Sequence, residues 1–253
     1  MRLSKKGMAL MLASMLMLGC SREMFNDSLE RDVSSQASGS TENISSSQTS
    51  DALVFDMDVK EISEDGVLLY YALPRALDPA AEQAAEQISE KIETAISSLR
   101  GEIAGDKGVH QLKVYDALTK NDGVYYSTTY DIEYSQAEDA TKEQYKFGLT
   151  FDSVTGNLVG INSIIDVDAL VVLLLDEQSS KIIEKDESLV SKQRAYLNQQ
   201  GLETLKGRLT YPDGVVSLQR LLDASFYLDG SKLIVTFAAP QDIGGIVQIS
   251  VVL

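Results

Sequence analysis

The chain has 253 residues, 44% of them hydrophobic, and carries 38 Asp and Glu against 22 Lys and Arg, a net charge of −16. So acidic a surface repels nucleic acid and anionic lipid, excludes both as expected partners, and steers cationic proteins toward it. A single cysteine and a single histidine exclude an intrachain disulfide, a cysteine zinc cluster and a His-rich metal site.

The lone cysteine stands at a telling place. Arg2, Lys5 and Lys6 make a basic start, and Met8 to Leu18 is an apolar run. That run is too short to span a bilayer and has the length of a signal-peptide core. Gly19 and Cys20 come next, with Met17 where Leu is usual, and the segment resembles the lipobox of bacterial lipoproteins. The resemblance implies cleavage before Cys20 and lipid on its thiol, with each buried methylene contributing about 0.8 kcal/mol to the anchor. Residues 1–20 are therefore expected to be a signal peptide and Cys20 a membrane tether. Removing Arg2, Lys5 and Lys6 with that segment raises the net charge of the remainder to −19. Residues 21–52, rich in Ser, Thr, Gln and Asn, have no apolar period and read as a flexible spacer. By random-coil scaling it would hold the folded part of the chain on the order of 30 Å from the membrane.

A folded domain is expected over 53–253. VFDMDVKEIS and VLLYYAL read as two strands around Glu64-Asp65-Gly66, with Pro74 ending the second. Asp78 can cap a helix that has Pro79 at its first position. Ala81, Ala85, Ile88, Ile92, Ala95 and Leu99 then fall on one stripe, with Glu82, Glu86, Glu90 and Glu93 off it. HQLKVYDALTK should pair with VYYSTTYDIEYS across Asn121-Asp122-Gly123. In the second of these Val124, Tyr126, Thr128, Tyr130, Ile132 and Tyr134 share a face, read as core packing rather than a sugar-stacking surface. YKFGLTFDS repeats the alternation. Asp152 to Gly156 is a turn in which Asp152 bonds backbone, Thr155 belongs to the motif and Gly156 takes the left-handed position. Asn157 to Gly160 returns as a short strand.

From Asp166 to about Leu205 the period turns helical. VDALVVLLLDEQSSKII and LVSKQRAYLNQQGLETL read as two helices around EKDES. SFYL with KLIVTFA, and IVQISVVL, close the chain as strands, turning at Asp229-Gly230-Ser231 and at Pro240 with Gly244-Gly245. The expected class is α+β: antiparallel sheet with one N-terminal amphipathic helix and a pair of later helices packed on it.

Ile88 and Ile92 on the helix, Phe151 to Gly156 with Asn157-Leu158 after it, and Phe226 to Gly245 together resemble the extracytoplasmic domain of lysozyme-sensing anti-sigma factors of the RsiV type. Related domains precede the catalytic part of some peptidoglycan deacetylases. The likeness covers most of 53–253. Ser89 stands where that family often has Asn, YSQAEDATKEQY where it has Gly-Gly-Ala-His, and Ala239-Pro240 where a Tyr is common. The resemblance implies the fold and an envelope-facing role, not anti-sigma activity.

No catalytic residue, metal ligand or cofactor is expected. His110 reads as structural or exposed. Asp56, Asp58, Glu138, Asp139, Asp166 and Asp168 form no EF-hand loop, and neither a P-loop nor a dinucleotide fingerprint is present. The leading expectation is a non-enzymatic envelope binding or sensing module whose partner is a cationic wall-active protein or a cell-wall component. A wall-polymer hydrolase using paired carboxylates and a passive scaffolding lipoprotein stay open as alternatives.

Overall fold

The computed structural model describes residues 55–64, 66–104, 110–138, 140–210 and 217–253, and these belong to one unit. Cys20 and the spacer lie outside the described residues, as does Asp139. The class is the expected α+β, with two sheets and a hydrophobic core for each.

The first sheet runs β1(Phe55–Glu64), β2(Val67–Ala76), β3(Gln111–Asn121), β4(Tyr125–Ser135) and β5(Glu143–Asp152) in spatial order β1-β2-β3-β4-β5. Its pairs are antiparallel except β2 and β3, which are parallel from Val67↔Leu112 to Tyr70↔Tyr115. The helix between them, α1(Glu82–Ala104), is a crossover connection, and such a connection returns the next strand parallel. This parallel pair is a departure from the all-antiparallel expectation.

Pro74 does not end β2. The strand continues to Ala76, with Pro74 opposite Met57. The β3 pairing has stopped at Tyr70, and the Ala72 N–H, which points the same way as position 74, goes instead to Asp116 Oδ2 at 2.9 Å. A missing donor at 74 therefore breaks no ladder.

The start of α1 follows its sequence signals. Asp78 accepts from the Ala80 N–H at 2.8 Å, and Pro79 opens a 3₁₀ turn that leads into the helix. Ala81, Ala85, Ile88, Ile92 and Leu99 are buried as the stripe predicts, joined by Ala84 and Ile96, while Ala95 is half-buried. The inner face of the first sheet meets this stripe with Tyr126, Tyr130, Tyr134, Phe147 and Phe151. Val124 is the exception to its predicted face: it is exposed, because the Asp122 carboxylate takes the Val124 and Tyr125 amides into the turn.

The second sheet is antiparallel, in order β6-β9-β8-β7, from β6(Ser180–Ile182), β7(Ala224–Asp229), β8(Lys232–Ala238) and β9(Ile246–Val252). The closing strand β9 lies inside it, between β6 and β8. Its apolar face is covered by α2(Val167–Leu175) and α3(Glu187–Leu209). β6 corrects the helical reading of SSKII. Asp176 binds the Gln178 amide and the Ser179 hydroxyl, which ends α2 and lets Ser180–Ile182 pair with β9. The expected strand 157–160 is reduced to one bridge, Phe151↔Leu158. A short α4(Leu218–Asp223), capped by Ser217, was not expected. Its Leu218, Leu221 and Leu222 enter the first core.

The sheets meet where β7 crosses the outer face of β4 and β5. Gly148 N–H donates to Ser225 Oγ at 3.0 Å, and Leu228 N–H to Ser127 Oγ at 2.9 Å. A Cβ on Gly148 would lie 2.7 Å from the Phe226 carbonyl oxygen. Glycine is what allows this approach.

Candidate functional site

The Asp152–Gly156 turn forms as predicted. Asp152 Oδ1 accepts from Val154 N–H at 3.0 Å, Thr155 N–H at 2.7 Å and Thr155 Oγ1 at 2.9 Å. Gly156 has φ +67° and presses on α1, where a Cβ would lie 2.7 Å from the Ala84 carbonyl oxygen. Lys91 on α1 closes the contact by donating to the Gly156 carbonyl at 3.2 Å. Asp152, Thr155 and Gly156 thus dock the end of β5 on the helix, which is structural work.

The tyrosine face is core. Tyr126, Tyr130 and Tyr134 are buried, and Tyr130 stacks on Phe147 with ring centroids 4.8 Å apart. Beside them is an acid that the sequence did not single out. Asp116 fills the split between β2 and β3, and burial pushes its carboxyl above the usual range against the pull of the Ala72 N–H. Its charge and, more strongly, burial push the Tyr126 phenol up. Among the described residues, burial first and the Asp116 charge after it push up the phenols of Tyr126 and Tyr130.

The acids considered for cations are dispersed. Asp56 and Asp58 both face Arg75, and the Arg75 guanidinium holds the Asp56 carboxyl below its ordinary value. Asp166 caps α2 by accepting from the Ala169 N–H at 2.9 Å, and Asp168 pairs with Lys206. Glu138 and His110 are exposed. Among the described residues no group of three or more His, Cys, Asp and Glu side chains is placed to hold a metal ion.

The most prominent surface feature is the outer side of α1. Glu82, Glu86, Glu90 and Glu93 are all exposed, at helical steps of four, four and three that put them on one side about 5–6 Å apart. Lys91 lies on a different flank of the helix, engaged with Gly156. The ridge is bounded by two open grooves. One, of about 510 Å³, lies between the first turns of α1 and β2 and includes Arg75, Asp78, Glu82 and Glu86. The other, of about 550 Å³, lies between α1 and α4 and has Leu149, Phe151, Leu158 and Leu221 beneath Glu90 and Glu102. The four glutamates were legible as the polar side of a stripe. The second groove was not, because it depends on α4. Its signal was present in Ser217 with Leu after it at 218, 221 and 222.

No protein-family model and no curated protein matches the chain. Among the solved structures that resemble it are two DUF3298 family proteins. A DUF3298 family member from Bacteroides fragilis has a TM-score of 0.43 at 10% identity, over 79% of this chain and 91% of that one. A DUF3298 family protein from Pseudomonas aeruginosa has a TM-score of 0.38 at 9% identity, over 80% and 90%.

Proposed function

We propose that this chain is a lipid-tethered, non-catalytic binding or sensing module of the cell envelope, and that the side of α1 receives a cationic wall-active protein. The observation that carries the reading is the ridge of Glu82, Glu86, Glu90 and Glu93, exposed between two open grooves. The net charge of −16 supports it by drawing a cationic partner from a distance. The apolar floor of the α1–α4 groove supplies area that charge alone does not. The lipobox-like Gly19-Cys20 supports the tether, and the RsiV-type likeness of the helix, turn and closing strands supports an envelope-facing role.

The test is titration of the full chain with a lysozyme at low and high salt. Binding at low salt that weakens about tenfold or more as salt rises, and weakens again when Glu86, Glu90 and Glu93 become Gln, is the expected result. Affinity indifferent to both salt and these substitutions would remove the ridge from the reading. Release of the chain from membranes by Cys20→Ser tests the tether separately.

A further inference from the structure

The outer face of the first sheet, opposite α1, packs against the second sheet, chiefly where β7 crosses it at Ser127 and Gly148. Beyond that crossing a row of side chains runs across all five strands. The registers Glu61↔Tyr70, Tyr70↔Tyr115, Tyr115↔Asp131 and Asp131↔Lys146 place these five residues side by side on one face. Neighbouring strands stand about 4.8 Å apart, so the two tyrosines are adjacent. Tyr70 is 42% exposed and Tyr115 is 40% exposed, in contrast with the buried tyrosines on the inner face. Lys146 Nζ holds Asp131 Oδ1 at 2.8 Å. In the next row out, Lys142 Nζ reaches Glu133 at 3.8 Å.

Two of the three charges in the row, Asp131 and Lys146, are therefore paired on a chain that is strongly acidic overall. A charged ligand gains little from groups already neutralised by their partners. A neutral ligand with apolar ring faces and hydroxyl edges gains twice: its C–H faces cover the two phenol rings, and its hydroxyls find acceptors and donors fixed in place by the ion pair. We propose that the row Glu61, Tyr70, Tyr115, Asp131 and Lys146 is a binding site for an uncharged, hydroxyl-rich oligosaccharide. Sugar rings lie on Tyr70 and Tyr115, and their hydroxyls bond Glu61, Asp131 and Lys146. The site is on the opposite side of the sheet from the acidic ridge, so it stands or falls apart from the proposed protein partner.

The experiment is calorimetric titration of the full chain with chitohexaose and with a β-linked glucose hexamer, both uncharged. Expected is saturable binding of at least one, changed by less than about twofold between low and high salt. Tyr70→Ala and Tyr115→Ala each weaken it about tenfold, and Tyr115→Phe, which keeps the ring, leaves it within about twofold. Both rings face solvent, so the variants are expected to melt with the wild type. Where one does not, ring-carbon NMR shifts of labelled tyrosine in the wild-type chain decide the same point without a substitution. No saturable binding of either hexamer overturns the proposal, and so does binding that ignores both alanine variants and leaves the tyrosine shifts unmoved. A lysine-rich peptide that binds this row in a tyrosine- and salt-dependent manner, while the sugars do not, would assign the face to a cationic partner instead.

Discussion

The two cores of the molecule are built from different materials. Under α1 the first sheet packs Tyr126, Tyr130, Tyr134, Phe147 and Phe151, with Phe55 set edge-on to Tyr126 at 5.8 Å. Under α2 and α3 the second sheet packs almost entirely Leu, Ile and Val, with Phe226 and Phe237 as its buried phenylalanines. An aliphatic core closes once its volume is filled. A tyrosine core carries a polar oxygen on many rings, and each must find a partner or reach the edge of the core. In the first core this leaves the Tyr130 hydroxyl buried without a hydrogen-bond partner among the described residues, and it draws Asp116 into the split between β2 and β3. In the second, the Arg194 guanidinium takes the Leu174 carbonyl at 2.7 Å and ties α3 to the end of α2, and the orphaned atom is an amide oxygen, Gln193 Oε1, which has no partner among the described residues. The sheet with the tyrosine interior is also the one that carries both candidate surfaces.

Paired truncations put that contrast to its hardest test. Phe147→Ala should cost about 3–5 kcal/mol and Leu170→Ala about 2–5 kcal/mol, read from guanidinium denaturation. The β7 junction predicts that both shift one common transition. Two separate transitions, each moved by one variant, would show that the cores fold independently and that the junction couples them weakly. The junction itself is probed by Gly148→Ala. The added Cβ would meet the Phe226 carbonyl oxygen at 2.7 Å and the Tyr227 Cβ at 2.8 Å. A loss of about 1–3 kcal/mol is expected from such overpacking. A neutral result would mean that β7 can slide on the first sheet.

Legibility divides along the same line. The inner face of the first sheet was readable because alternation is strict through YYSTTYDIEY, and the α1 stripe because three- and four-residue steps have no competing period. What was hidden is what depends on distant partners. SSKII became a strand only because β9 offers it an edge, and Pro74 is tolerated only because β3 has already left β2. Ser127, Thr129 and Thr150 sit on the face that alternation marks as solvent, yet they are buried near the crossing of β7, with Ser127 and Thr150 joined by a 2.8 Å hydroxyl contact. The glutamates of the ridge could be read from the helix period. The row that ends in Asp131 and Lys146 could not, since it is defined by four strand registers that no local pattern fixes.

Asp152→Ala sharpens the comparison at the motif that was readable in full. It removes three accepted hydrogen bonds from the turn that seats β5 on α1. About 1–2 kcal/mol is the expected loss in chemical denaturation, with faster hydrogen exchange at the Thr155 amide as the local sign. A global loss without that local change would place the work of Asp152 elsewhere.

Asp116→Asn reaches the polar flaw of the first core and should have the smallest effect. The folded-state carboxyl sits above its ordinary value because burial disfavours the charge. The folded chain therefore binds this proton more tightly than the unfolded chain, and the ionised form costs stability at neutral pH. That cost disappears as pH falls through the raised folded-state value. Asparagine keeps an oxygen for the Ala72 N–H and has no charge to bury. The variant should melt slightly higher than wild type at neutral pH, and the gap should close near pH ~4, around the ordinary carboxylate range. Because Asp116 is only half-buried, solvent screening keeps the gap small. A variant that melts lower than wild type at neutral pH would show that the negative charge is wanted in the β2–β3 split, and that the first core is settled by Asp116 rather than disturbed by it.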